Sequence, residues 1–532
     1  MAEPREARDN LIGRINVGDL LTRSAARAPG HVAIVDGGRR FTYGIFNEWV
    51  NRTAYGLVAL GYRRGDALAL MSGNSAEFLV TYFACAKLGL ICVPINLLWR
   101  HGELGYVLHH AAARGVVVEA ALIEQLATAF DEPPPIKDII VIGGGAETIK
   151  LAGPNIIAFA DVGADMPADE PEAFVADRDP ISYLYTSGTT SAPKGVVSSH
   201  LAIYVESLGV AIDTRMTAAD RVAAMLPFFH TAQLNAFCSP AVAVGATIHV
   251  LRGFDAAGLL DLIASDGVSV IFGLPVMYRT LLDLQTRQPR DVSSLRLAVY
   301  AMAPIGPEEL RRLIYIFGCD FSLMFGQTEM SPVSAFFRPE HQLSHTGAAG
   351  TPSINVQIGI MDEEGSLLPT GRSGEIVYRG PQVLSGYLHD ETATEAAFRH
   401  GWFHSGDAGH FDADGILWFE DRFKDVIKSG GENVASLEVE TALYRAEPKI
   451  LEAAIVGLPH ERWGEAITAF VVPRAGETID QAETLRRMRD RLSPFKCPKA
   501  IVVVDGFPKT ATGKIQKMEL RKRYASFYRS EQ

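Results

Sequence analysis

Short apolar runs alternate with helix-length segments along most of the first two thirds of this 532-residue chain, and that alternation leaves few folds open. Thr42 is placed to cap a helix through Leu60, residues 67–71 form an apolar strand, and residues 78–88 read as a helix leading into a strand at 91–94. The same grammar returns at 222–226, 254–264, 268–272, 275–284, 297–301, 307–317 and 321–325. Parallel strands need crossover connections, and helices are the usual ones, so the pattern predicts an α/β fold of parallel sheets covered by helices. Between about 355 and 418 the helices thin out and turn signals separate short strands, which predicts a β subdomain. After Arg422 a helix at 436–446, strands at 453–456 and 467–472, and a capped helix at Asp480 and Glu483 predict a small α+β unit.

Composition narrows the function classes. A net charge of -12 argues against nonspecific nucleic-acid binding, which relies on basic surface. The chain is 48% hydrophobic and 21% charged, as expected of a globular protein. Cys85, Cys92, Cys238, Cys319 and Cys497 make no CxxC pair, which predicts reduced thiols and a cytoplasmic location. The N-terminus has no signal-like apolar core, and the apolar tract 78–98 contains Lys87, Gly89, Pro94 and Asn96. That tract predicts a buried helix and strand rather than a membrane span, so any membrane contact would be peripheral. No Gly-x-Ser-x-Gly elbow marks a serine hydrolase, and no Glu follows His341 to make a zinc-protease pair with His345.

The richest local signal is the run Tyr185, Thr186, Ser187, Gly188, Thr189, Thr190, Ser191, Ala192, Pro193, Lys194 and Gly195. Hydroxyls, glycines that let backbone N–H groups approach, and one ammonium suit phosphate oxygens. The spacing is not that of a Walker A loop, because five residues separate Gly188 from Lys194. The flanking residues predict that the loop joins a strand at 181–185 to a helix starting near Leu201.

Five further segments occur in order. They are Pro227 to His230; Phe325, Gly326, Gln327, Thr328 and Glu329; His404 to Asp407; Asp421 to Asp425 with Ile427 to Asn433; and Pro508 to Lys514. With the hydroxyl-rich loop they resemble the adenylate-forming superfamily of acyl-CoA synthetases, peptide-synthetase adenylation domains and luciferases, over nearly the whole chain. The resemblance implies an N-terminal AMP-binding domain over 1–422, with the β subdomain near 350–420, and a mobile C-terminal lid over 423–532. It implies ATP, Mg²⁺ and CoA as reaction partners of a carboxylic acid, and it allows a homodimer.

The resemblance gives the residues roles that their chemistry supports. Thr186, Ser187, Gly188, Thr189, Thr190 and Lys194 are expected on the phosphates, and Phe325, Gly326 and Gln327 around adenine, with the Phe325 ring stacked on the base. Thr328 can donate to the α-phosphate, and Glu329 can hold Mg²⁺, which prefers few carboxylates plus phosphates. Asp407 can accept from ribose hydroxyls, reinforced by Arg422. Lys514 is expected to carry adenylation: two anions must meet, and an ammonium where charge develops is worth about 10²- to 10³-fold. Lys424 falls at the hinge position. Gly430, Gly431, Trp463, Phe495 and Lys499 match positions lining the CoA site of some aryl- and acyl-CoA ligases.

His230, Ala232, Gln233 and Met302 are expected around the acyl group, with His230 also among the catalytic positions. Ser405 stands where threonine is usual, and Met302 where small residues are usual. The favoured acid is a medium- or long-chain fatty acid; alternatives are an aryl or small branched acid, or a carrier-protein phosphopantetheine as acceptor. Similar tails in bacterial relatives are acetylated on the lysine corresponding to Lys514, which makes a protein acetyltransferase a candidate partner.

Overall fold

The computed structural model describes residues 4–99, 101–129, 136–149, 153–186, 193–422, 425–430, 432–489, 491–510 and 515–529. Two large sheets form the body. A nine-stranded sheet runs in the order 351–352, 333–337, 320–326, 297–300, 270–273, 221–224, 247–250, 32–36 and 39–42, its central strands parallel. An eight-stranded sheet runs 386–387, 194–199, 180–186, 91–94, 67–71, 113–119, 138–142 and 155–158. Its strands from 180–186 onward are parallel, as the alternating pattern requires.

The helix Ala76–Leu88 lies between the two sheets. Every residue in it except Glu77 is buried, and Phe78, Leu79, Tyr82 and Phe83 share one core with Leu68 and Val117 of one sheet and Val222 and Ile248 of the other. A helix apolar on all sides must be enclosed on all sides, and this tract is the buried helix that its sequence predicts. Truncating Phe78 to alanine there would cost roughly 3–5 kcal/mol. Lys87, the charge in that tract, is held by Asn51 Oδ1 at 2.7 Å and Glu170 Oε2 at 2.6 Å, and burial lowers its pKa to about 8.

One expectation fails. The hydroxyl-rich loop does not lead from a strand into a helix; it joins two antiparallel strands, Pro180–Thr186 and Lys194–Ser199, with Thr186 paired to Lys194. The β-branched Val196 and Val197 extend the chain for six residues before Ser199 caps the helix His200–Asp213, its Oγ accepting from Ala202 N at 3.1 Å. Thr186 and Lys194, the described residues nearest the loop that are paired, therefore face each other across an antiparallel pair.

An antiparallel four-stranded sheet of 357–361, 374–379, 403–411 and 417–422 follows, close to the expected β subdomain. Beyond it, strands 427–429, 432–434, 450–460, 464–473 and 500–503 form a separate sheet. Its two cores draw only on residues from Ile427 onward, including Val439, Ile455, Ile467, Phe470 and Leu520. No described helix is long and apolar enough to cross a membrane.

Candidate active site

The carboxyl ends of the parallel strands, where α/β folds bind ligands, open into a cleft of about 1850 Å³ between the sheets and the C-terminal lobe. Thr186, Lys194, Glu329, Asp407, Arg422 and Lys517 are all on its wall. Ser187, Gly188, Thr189, Thr190, Lys424, Gly431 and Lys514 lie outside the described residues.

At the loop end, Lys194 Nζ sits 3.8 Å from Asp390 Oδ2 and 5.2 Å from the centroid of the Tyr387 ring. The Tyr387 hydroxyl donates to Glu329 Oε1 at 3.1 Å. Burial, with the Glu329 charge beside it, pushes the Tyr387 phenol far above its usual range, so it stays a donor. Glu329 belongs to the short turn Thr328–Met330, which the strand Asp320–Gly326 delivers to the cleft. Gly326 is required here by space: a Cβ would lie 1.9 Å from the Pro332 carbonyl oxygen. Among the described residues no cluster of three or more His, Cys, Asp or Glu side chains forms a metal cage. Glu329, one carboxylate on the same Tyr387 side chain that the Lys194 ammonium faces, fits an ion such as Mg²⁺ that takes most of its oxygens from a bound phosphate.

Phe325 packs 5.4 Å from Phe419, centroid to centroid, at the strand end. Beside it the Gln327 Nε2 is buried without a hydrogen-bond partner among the described residues. Asp407 and Arg422 are cross-strand neighbours, with Arg422 Nε 3.2 Å from Asp407 Oδ1. Ser405 Oγ accepts from Asp407 N at 3.0 Å, so serine supplies the hydroxyl oxygen expected of threonine.

The residues expected around the acyl group also converge. His230, Ala232, Gln233 and Met302 line a side cavity of about 320 Å³ that continues from the cleft. His230 Nδ1 accepts from Ala232 N at 3.2 Å, which leaves the proton on Nε2, and burial lowers the imidazole pKa to about 4. The ring is therefore neutral at physiological pH. Met302 holds a left-handed backbone (φ 73°), a conformation that costs a non-glycine residue about 1–3 kcal/mol and that clusters at ligand sites. A π-helical turn at Leu234–Cys238 follows the His230 segment.

On the C-terminal lobe, Lys499 Nζ lies 4.5 Å and the Arg462 guanidinium 4.9 Å from the Trp463 ring. Gly430 adopts φ 64°, donates its N–H to Trp463 O at 2.8 Å, and has Trp463 carbons 3.1 Å from where a Cβ would be. Phe495 is partly exposed and lies under Lys496, 5.7 Å away. The Trp463 cluster joins one aromatic face to two cations, a good match to a phosphorylated nucleotide.

Sequence reasoning missed Tyr387, Phe272, Leu274 and Arg252, and gave Asp421 no role beyond its place in a motif. Phe272 and Leu274 stand at the carboxyl end of the strand Val270–Gly273 and were findable from that position. Tyr387 reaches Glu329 across 58 residues, a pairing no local pattern signals.

Residues 21–388 match the family model of the AMP-binding enzymes, and residues 438–514 match the AMP-binding enzyme C-terminal domain. The chain is 33% identical to a feruloyl-CoA synthase of Amycolatopsis sp. over 96% of this chain and 99% of that protein. It is 31% identical to a long-chain-fatty-acid–CoA ligase of Mycobacterium tuberculosis over 96% and 99% of the two chains. The anthranilate CoA ligase solved with anthranoyl-AMP superposes with a TM-score of 0.87 at 27% identity, covering 96% of this chain and 97% of that one. The chain belongs to the AMP-binding, adenylate-forming enzyme family, among its acyl- and aryl-CoA ligases.

Proposed function

We propose that this protein is an ATP-dependent ligase that activates a compact, preferably aromatic, carboxylic acid and hands it to CoA. The supporting observation is the side cavity of about 320 Å³, at the small end of the range for ligand pockets, walled by Phe229, Phe254 and Phe272. The feruloyl-CoA synthase and the anthranilate ligase are the relatives that favour an aromatic acid. A medium-chain fatty acid is the second reading, favoured by the adaptable Met225, Met277 and Met302 in the same wall. Domains meeting at residues 422 and 423, and a cytoplasmic location, are part of the same proposal.

In the first step an ionised carboxylate oxygen attacks the α-phosphorus of ATP, the bond to the β-phosphate oxygen breaks, and pyrophosphate leaves. No general base is needed, because the acid is already ionised at neutral pH. Lys194 and the hydroxyl loop bind the phosphates, Thr328 donates to the α-phosphate, and Lys514 offsets the charge of two anions meeting. Asp407 and Arg422 hold the ribose. Phe325 stacks on adenine, and Gln327 Nε2 finds in the base an acceptor that offsets an orphan donor's cost of roughly 1–3 kcal/mol. Glu329, positioned by Tyr387, would hold Mg²⁺, which when bound supplies further neutralisation of phosphate charge.

In the second step the CoA thiolate attacks the acyl carbon, the bond to the AMP phosphate oxygen breaks, and AMP leaves. Trp463, Lys499 and Gly430 dock CoA, and the neutral His230 offers an Nε2–H donor beside the acyl group. Lys424 is the pivot between the two steps. AMP formation across a panel of aryl, branched and straight-chain acids, with CoA and with a phosphopantetheinylated carrier protein, tests this assignment. Preference for a compact aryl acid and for CoA supports it; preference for long-chain acids or for the carrier contradicts it.

A further inference from the structure

The side cavity has a second end. Arg252 follows the strand Thr247–Val250 of the nine-stranded sheet, and Glu119 is the last residue of the strand Ala113–Glu119 of the eight-stranded sheet. Arg252 Nη2 donates to Glu119 Oε1, and Arg252 Nη1 donates to Asn74 O at 3.0 Å. The other Glu119 oxygen accepts from Gly73 N at 3.1 Å. The ion pair thus spans the carboxyl ends of the two sheets.

Arg252 lines the cavity and yet its side chain is 56% exposed, so this is where the cavity meets the surface. The guanidinium lies against the backbone of Gly73, where a Cβ would be 3.0 Å from its nearest nitrogen. A longer side chain at residue 73 would push the guanidinium away. At the inner end the cavity shares His230, Leu274 and Met302 with the cleft, and its walls between are largely apolar. An acyl chain that grows outward from the adenylate therefore slides along Phe and Met side chains and then meets a charged bar.

We propose that the Arg252–Glu119 pair is the length stop of the acid site, admitting acids that end short of it and penalising those that must displace it. The inference rests on assigning the side cavity to the acid. A hydrocarbon terminus cannot replace the hydrogen bonds that the guanidinium gives up when it swings away, so each such acid binds against a cost that a shorter one avoids. Because the Arg252 side chain is half in solvent, that cost is modest and graded, not an absolute block.

The test is the ratio of kcat/KM for hexadecanoate to that for ferulate in the wild type, Arg252→Ala and Glu119→Gln, read by pyrophosphate release. The ratio should rise about three- to fivefold in Arg252→Ala, the value of one exposed ion pair, and in the same direction, by less, in Glu119→Gln, which frees the arginine without shortening it. An unchanged ratio in both variants, with wild-type melting curves, overturns the length stop. Should Arg252→Ala fail to fold, Glu119→Gln decides alone. Absence of pyrophosphate release from the wild type with every acid would instead defeat the ligase assignment, a separate failure.

Discussion

The carboxylate of Asp421 accepts a 2.5 Å hydrogen bond from the backbone N–H of Ser436, and so caps a helix of the C-terminal lobe from a strand of the β subdomain. The helix Ser436–Ala446 has no side-chain cap of its own. Asp421 is buried, pairs in register with Ala408, and also accepts from Arg422 N at 2.8 Å. Around it, Lys517 bonds Ser436 Oγ and lies 2.9 Å from Glu440, and Arg521 lies 3.4 Å from Asp425. Glu440, Asp421 and Asp425 together hold the Lys517 ammonium above its usual pKa despite its burial. The seam between the lobes beside the Asp407–Arg422 pair is polar, and polar interfaces let domains move.

Removing that cap tests the seam. Asp421→Ala should cost about 1–2 kcal/mol, as an N-cap loss does, and should slow adenylation more than transfer from supplied acyl-AMP. Rapid-quench measurement of both half-reactions checks it; equal loss in both would mean that Asp421 only stabilises the fold.

Tyr387 connects the loop lysine to the proposed metal carboxylate, so Tyr387→Phe should raise the Mg²⁺ concentration for half-maximal activity about fivefold, the value of one ordinary hydrogen bond. Titrating Mg²⁺ at saturating ATP checks this. No shift in the Mg²⁺ dependence would detach Tyr387 from that carboxylate's role.

Trp463→Ala should raise KM for CoA about tenfold and leave CoA-independent pyrophosphate release unchanged, since the ring and its two cations sit on the C-terminal lobe. Lys514→Ala should do the reverse, losing adenylation by about 10²-fold or more while transfer from supplied acyl-AMP survives. Steady-state kinetics in CoA and single-turnover adenylation, run on both variants, separate these two effects.

Acid should destabilise the protein from a specific pH. Burial lowers His230 and His249 to about 4 and His200 to about 3, whereas an unfolded chain protonates them near 6.5. Below 6.5 the unfolded state binds protons that the folded state refuses, so stability falls as pH drops toward 4, by up to about 1.4 kcal/mol per pH unit for each histidine. Urea unfolding at pH 7.5, 6.5, 5.5 and 5.0 reads this slope. A flat profile from 6.5 to 5.0 would contradict these lowered histidine pKa values.

Much of this was legible in the chain because period and turn chemistry are local. The alternation around residues 67–94 and 268–325 placed the parallel strands. Phe325, Thr328, Glu329, Asp407 and Arg422, named through the family resemblance, line one cleft: the first three stand at the carboxyl end of the strand Asp320–Gly326, and Asp407 and Arg422 pair across two antiparallel strands of the β subdomain. The hairpin after Thr186 was misread because Lys194, Gly195 and two serines resemble a loop, and only pairing with 180–186 and with Gly386 and Tyr387 makes them a strand. Tyr387, the capping role of Asp421 and the Arg252–Glu119 pair were not read for a related reason: each acts through a partner on another element of the fold.

The central claim is that one cleft activates a carboxylate with ATP before CoA takes part. Mixing enzyme, ATP, Mg²⁺ and a compact aryl acid without CoA, and counting pyrophosphate, tests it most directly. One equivalent of pyrophosphate per active site, with enzyme-bound acyl-AMP that turns into acyl-CoA and AMP on adding CoA, is the predicted result. Pyrophosphate that appears only when CoA is present from the start, or release of ADP and phosphate in its place, would contradict it.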